Sequence, residues 1–121
     1  MLFSKIDTVT IRVGDVVAAQ SWYEEKLQMR PNYFDDEQRI VVMESDSETT
    51  ITLWEREPFD VPVPLGRRGT YPVLFTDQIE ESHAVLIGRG VNAEAIEGEP
   101  GEPRWFGFTD PDGNYIEVAT Y

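Results

Sequence analysis

Residues 5–13, KIDTVTIRV, alternate: Ile6, Thr8, Thr10 and Arg12 fall on one side, Val9, Ile11 and Val13 on the other. That period of two predicts a strand with one buried face. Asp15 stands where a helix cap belongs. In the following VVAAQSWYEEKL, residues Val16, Ala19, Tyr23 and Leu27 share one helical face, with Pro31 shortly beyond the end. Three short strand patterns come next, at about residues 32–35, 39–44 and 50–55, separated by the polar runs DDEQ and SDSET. The predicted order so far is β-α-β-β-β.

The run EPFDVPVPLGRRG (57–69) breaks this rhythm, because Pro58, Pro62 and Pro64 favour extended backbone without ladder partners. It reads either as a linker between halves or as a segment covering a site. The pattern then begins again. YPVLFT (71–76) predicts a strand, and Asp77 with Glu80 resembles a capping box opening the helix QIEESHAVLIGR, which Gly90 ends. Strands are expected at 91–96, 105–109 and 115–120, with EGEPGEP between the first two and the turn DPDGN between the last two. An order that occurs twice is a repeat, and each unit has one amphipathic helix to pack on one sheet face.

Composition narrows the chemistry. A chain of 121 residues, 40% hydrophobic and 27% charged, fits one compact domain. Its parts are a first module at about 1–57, a connector at about 58–69 and a second module at about 70–121. Without an apolar run of ~20 residues or a basic-then-apolar N-terminal signal, a cytoplasmic protein with no membrane partner is expected. A formal charge of −13 argues against nucleic acid, whose phosphates need clustered Lys and Arg. There is no cysteine and one histidine, His83, so neither a thiolate site nor a multi-histidine site can be built. His83 lies beside the packing face of the second helix and reads as structural. Arg67 and Arg68, inside the connector, either pair with the acidic surface or reach an anionic ligand.

The segments FTDPDGNYIEV and TVTIRVGDVVAAQSWYEEKL, within the doubled β-α-β-β-β order, resemble the vicinal oxygen chelate superfamily. That superfamily includes glyoxalase I, bleomycin-resistance proteins and extradiol dioxygenases. The resemblance implies an α+β fold. Two tandem βαβββ modules would form a curved mixed sheet around a cavity, helices on the outer face, commonly in a homodimer. In metal-dependent members four inner-strand positions supply ligands. Carried onto this chain they look like Thr8, Thr52, Tyr71 and Glu117. Only Glu117 has a ligand-type side chain, whereas a catalytic zinc takes three protein ligands and a non-haem iron two histidines and a carboxylate. No metal ligand set and no cofactor are expected, although magnesium, which keeps several waters, could use one carboxylate.

Glu117 itself is a question, since an unmet acid inside a strand costs several kcal/mol. Either it faces the cavity and accepts from a ligand, or it is satisfied by Thr8, Thr52, Tyr71 or water. Strand parity places Thr8, Thr10, Thr52, Trp54, Tyr71 and Phe75 toward the cavity with Glu117, and Trp105 and Tyr115 join if parity holds around the turn. The resulting expectation is a metal-free protein that binds or sequesters a small aromatic or cationic molecule in an aromatic-lined cup. No catalytic residue is nominated. The alternatives are a superfamily lyase, isomerase or dioxygenase with an atypical or absent metal site, and a domain serving only for association.

Overall fold

The computed structural model describes residues 1–61 and 69–121, so Pro62, Pro64, Arg67 and Arg68 of the connector lie outside the described residues. The elements are β1 (Thr8–Val13), α1 (Val16–Leu27), β2 (Arg30–Asp35), β3 (Ile40–Glu44) and β4 (Thr50–Glu55). They continue with β5 (Val73–Phe75), α2 (Ile79–Gly88), β6 (Asn92–Ala93), β7 (Arg104–Thr109) and β8 (Tyr115–Thr120). The chain divides into two compact units, Met1–Val61 and Pro62–Tyr121. Each holds a four-stranded mixed sheet, ordered β1-β4-β3-β2 in the first and β5-β8-β7-β6 in the second. The two orders correspond strand for strand. In both, the first strand of the module pairs in parallel with its last, and the remaining pairs are antiparallel. This is the doubled βαβββ plan.

Alternation decides which face each sheet buries. In the first module Ile11, Val13, Val41, Met43, Ile51 and Leu53 are buried with Val16, Ala19 and Tyr23 of α1. In the second, Phe106, Phe108, Ile116 and Val118 are buried with Ile79 and Leu86 of α2. Each large aliphatic or phenylalanine side chain so enclosed contributes about 1.5–3 kcal/mol. Each sheet has one helix against it, and its opposite face carries the other parity of residues.

The two helices start differently. Asp15 caps α1, its Oδ1 accepting from the backbone N–H of Val17 at 2.9 Å and of Ala18 at 3.1 Å. Asp77 does not have that role. The residue preceding α2 is Gln78, whose side chain makes no capping bond, and Thr76 Oγ1 accepts from the Gln78 N–H instead. Its hydroxyl also lies 2.9 Å from Ser82 Oγ, so a threonine one position earlier secures the turn. The end of α2 is as expected: Gly90 has φ +79°, a left-handed backbone that glycine adopts without a Cβ clash, and its N–H reaches the Ile87 carbonyl.

Glu55 joins three elements of the first module. Its Oε2 accepts from the Val16 N–H at 3.1 Å, and from Arg39 Nε at 3.3 Å in the turn before β3. That hydrogen bond, aided by Asp36, raises the Arg39 pKa above the ordinary arginine range, so the guanidinium stays charged at any physiological pH. The expected strand at 91–96 shrinks to Asn92–Ala93, because the chain then leaves the regular ladder and pairs with β7 again at the bridge Glu97–Trp105. Glu94 N–H still donates to the Gly107 carbonyl between them.

Replacing Asp15 by Ala is expected to lower stability by about 1 kcal/mol, whereas Asp77→Ala should stay within about 0.5 kcal/mol of the parent. Urea denaturation of both variants checks this; equal losses would return Asp77 to a capping role.

Candidate functional site

In the first module the face opposite α1 is organised in rows across the sheet. Thr10 of β1 stands opposite Thr52 of β4, which stands opposite Val42 of β3, and the next row is Arg12, Trp54 and Ile40. Thr8 Oγ1 and Thr52 Oγ1 are 2.8 Å apart, and Thr8 Oγ1 also donates to the Thr50 carbonyl at 3.1 Å. A threonine side chain has one proton and two lone pairs. Thr52 is buried, Thr8 half-buried and Thr10 exposed. One row further, the Arg12 guanidinium carbon lies 4.2 Å from the centroid of the Trp54 ring, a cation–π stack.

The second module repeats the arrangement with different chemistry. Val73 of β5 pairs with Glu117 of β8, Phe75 with Ala119, and Trp105 of β7 with Ala119 from the other side. Strand alternation therefore sets Glu117, Phe75, Trp105 and Tyr115 on the face away from α2. Tyr71, just before β5, packs edge-on against Tyr115 with ring centroids 4.8 Å apart. The Tyr115 hydroxyl donates to Glu117 Oε2 at 3.1 Å. Glu117 thus has a hydrogen-bond partner inside its own strand, two residues away, and it was none of the residues suggested by sequence.

Room for that bond comes from β7. A Cβ placed on Gly107 would overlap the ring and hydroxyl of Tyr115, and Gly107 stands opposite Glu117 in the register. Only a bare Cα lets the phenol cross the neighbouring strand to the carboxylate. The DPDGN turn then sets where β8 begins. The buried Asp110 accepts from the N–H groups of Asp112 and Asn114, both at 2.9 Å, and from Asn114 Nδ2 at 2.9 Å.

Thr8, Thr10, Thr52 and Trp54 share one open face; Tyr71, Phe75, Trp105 and Glu117 are gathered at the other. His83 behaves as a structural side chain: its Nε2 is 2.8 Å from the Glu94 carbonyl and its ring meets Phe106 edge-on. Sequence reasoning did not nominate Arg12, although its parity with Thr8 and Thr10 was visible, and it did not single out Gly107. Among the described residues, no three or more His, Asp or Glu side chains are gathered so as to hold a metal ion.

The family model for the Glyoxalase/Bleomycin resistance protein/Dioxygenase superfamily matches residues 5–118. The chain belongs to this superfamily. Among solved structures it is similar to TnmS3, an antibiotic binding protein from Streptomyces sp. CB03234. The two are 26% identical with a TM-score of 0.82, over 99% of this chain and 98% of that one. A superfamily member from Sphaerobacter thermophilus DSM 20745 is also 26% identical, with a TM-score of 0.78 over 100% of both chains. Lactoylglutathione lyase from Agrobacterium tumefaciens shares the fold at 17% identity and a TM-score of 0.73, covering 97% of this chain and 93% of that one. No curated protein matches the chain at a significant level. Among the described residues, no helix is long and apolar enough to cross a membrane.

Gly107→Ala is expected to destabilise by about 1–3 kcal/mol through overpacking. Combined with Tyr115→Ala it should lose less than the sum of the single changes, with a coupling of at least about 0.5 kcal/mol in urea titrations. Strict additivity would show that the tyrosine does not need the glycine.

Proposed function

We propose that this superfamily member binds or sequesters a small aromatic or cationic molecule on the aromatic-bearing faces of its modules, without a resident transition metal, as a cytoplasmic homodimer. The observation that carries this reading is the state of the donors where metal-dependent relatives place their ligands. Thr8 and Thr52 are hydrogen-bonded to each other, and Glu117 accepts from Tyr115. Tyr71 is packed on Tyr115. Two hydroxyls, a phenol and one carboxylate do not fit the three-ligand zinc site or the two-histidine iron site. The same faces also carry aromatics, Trp54 in the first module and Phe75 and Trp105 in the second, with Trp105 38% and Phe75 58% exposed. A few fixed polar groups among aromatic walls suit a flat organic ligand. The similarity to an antibiotic binding protein along nearly the whole chain supports binding as the function.

The enzymatic alternative is a lyase, isomerase or dioxygenase with an atypical or absent metal site, and Glu117 is the one ligand-type side chain at the positions named for it. Fold does not decide between them, since this architecture hosts several chemistries. The likeness to lactoylglutathione lyase extends to the fold only.

Native mass spectrometry of protein purified from cells reports metal, organic ligand and subunit count together. The expected species is a dimer without stoichiometric zinc, iron, nickel or manganese, able to take up an aromatic ligand. One such ion per subunit overturns the metal-free reading.

A further inference from the structure

We infer that Glu117 makes the open face of the second module a subsite for an organic cation built on a planar aromatic ring, of the arylmethylammonium kind. This rests on the binding function proposed above and narrows its ligand class from aromatic or cationic to both at once.

The carboxylate has spare capacity where it stands. Ionised, it offers about four lone-pair sites, and among the described residues Glu117 receives one side-chain hydrogen bond, from the Tyr115 hydroxyl at 3.1 Å. That donor is neutral. Strand alternation sets Val73, Phe75, Trp105, Gly107, Thr109 and Ala119 on the same face, and none of these positions is basic. The basic residue of β7, Arg104, has the parity of the buried Phe106 and Phe108 and pairs with Glu80 of α2 at 2.8 Å. Glu117 is half-buried. A carboxylate so placed without a countercharge is costly, and a ligand that brings a positive N–H group removes that cost.

Its neighbours set the shape of the ligand. Ala119 follows Glu117 on the same face of β8, about 7 Å along the strand. In the register it stands between Phe75 on one side and Trp105 on the other, so a single methyl group separates two exposed aromatic residues. Directly opposed side chains start about 4.5–5.5 Å apart across a strand pair, so the Phe75 and Trp105 Cβ atoms stand about 10 Å apart. A flat ring in contact at about 3.5–4.0 Å with its neighbours fits over Ala119 in that interval. Tyr121 packs on Phe75, with ring centroids 5.0 Å apart. On the far side of Glu117 come Tyr115 and, edge-on to it, Tyr71. The carboxylate is thus bordered by aromatic side chains, where a charge-assisted bond is stronger than in open water.

Net charge alone does not make this argument. A total of −13 draws every cation, but the Debye length at physiological salt is about 8 Å, so distant carboxylates are largely screened. Glu117→Gln changes that total by one, from −13 to −12. A loss of cation preference in that variant therefore reports the local contact.

Three probes with one ring system separate charge from ring: 2-naphthylmethylammonium, 2-naphthylmethanol and 2-naphthoate. Each is titrated into the intact protein by calorimetry at physiological salt. The Trp105 indole N–H is followed by NMR, its signal assigned through Trp105→Phe. The ammonium is expected to bind about tenfold more tightly than the alcohol, consistent with one charge-assisted hydrogen bond, and to exceed the naphthoate by more. It should also shift the Trp105 signal. In Glu117→Gln, which keeps the size and still accepts from Tyr115, the advantage over the alcohol should vanish. In Tyr115→Phe it should persist, because the carboxylate rather than the phenol recognises the cation. Circular dichroism confirms that both variants fold, and the wild-type comparison decides without them. Equal or weaker binding of the ammonium, or an advantage that survives Glu117→Gln, overturns the inference while leaving small-molecule binding as the function. So does an advantage lost in Tyr115→Phe, or binding that leaves Trp105 undisturbed. Failure of all three probes to bind overturns it too. The metal-free reading falls separately, on a stoichiometric ion in the mass spectrum.

Discussion

Each module has one helix for a four-stranded sheet, and the remainder of the molecule follows from that shortage of cover. A sheet has two faces, and a single amphipathic helix can bury only one. The buried face is set by Ile11, Val13, Leu53, Phe106, Phe108, Ile116 and Val118. Because side chains alternate along a strand, the same backbone must place the intervening residues on the opposite face. Hydroxyls, aromatics, Arg12 and Glu117 stand there as a consequence of the core rather than in spite of it. The parallel pairing of the first strand of each module with its last brings β1 beside β4 and β5 beside β8. That pairing joins residues far apart in sequence: Thr8 to Thr52, Arg12 to Trp54, Val73 to Glu117.

Much of the fold was legible because it rests on local periodicity. The bounds of α1, β4 and β8 agree with the sequence pattern, and the doubled β-α-β-β-β order reappears as two sheets with matching strand orders. The departures have local causes. Asp77 fits a capping pattern, but the helix starts at Ile79, and Thr76 meets the Gln78 N–H that precedes it. The segment 91–96 makes a short strand because, past Ala93, it meets β7 only through the Glu94 N–H to Gly107 carbonyl bond and the bridge Glu97–Trp105. Of the candidate site, parity gave the residues of each face. It could not give the partners within the face, because hydrogen bonding depends on side-chain reach. For Glu117 the sequence left open a ligand in the cavity or a partner among Thr8, Thr52, Tyr71 and water, and Tyr115 reaches it through the gap left by Gly107. Alternation placed Arg12 on the face with Thr8 and Thr10, but its contact with Trp54, 42 residues away, depends on the pairing of β1 with β4.

The same backbone plan carries different chemistry in its two copies. Where the first module sets Arg12 on Trp54, the second sets Tyr115 on Glu117, and in each case an ionic side chain is met by an aromatic one. A buried or half-buried charge left alone is expensive, and a metal ion would be one way to satisfy the carboxylate. A phenol hydroxyl meets it differently: it donates one hydrogen bond and brings no charge. The first module holds a positive group and the second a negative one, each oriented before any ligand arrives. Orienting these side chains in advance reduces the entropy lost on binding.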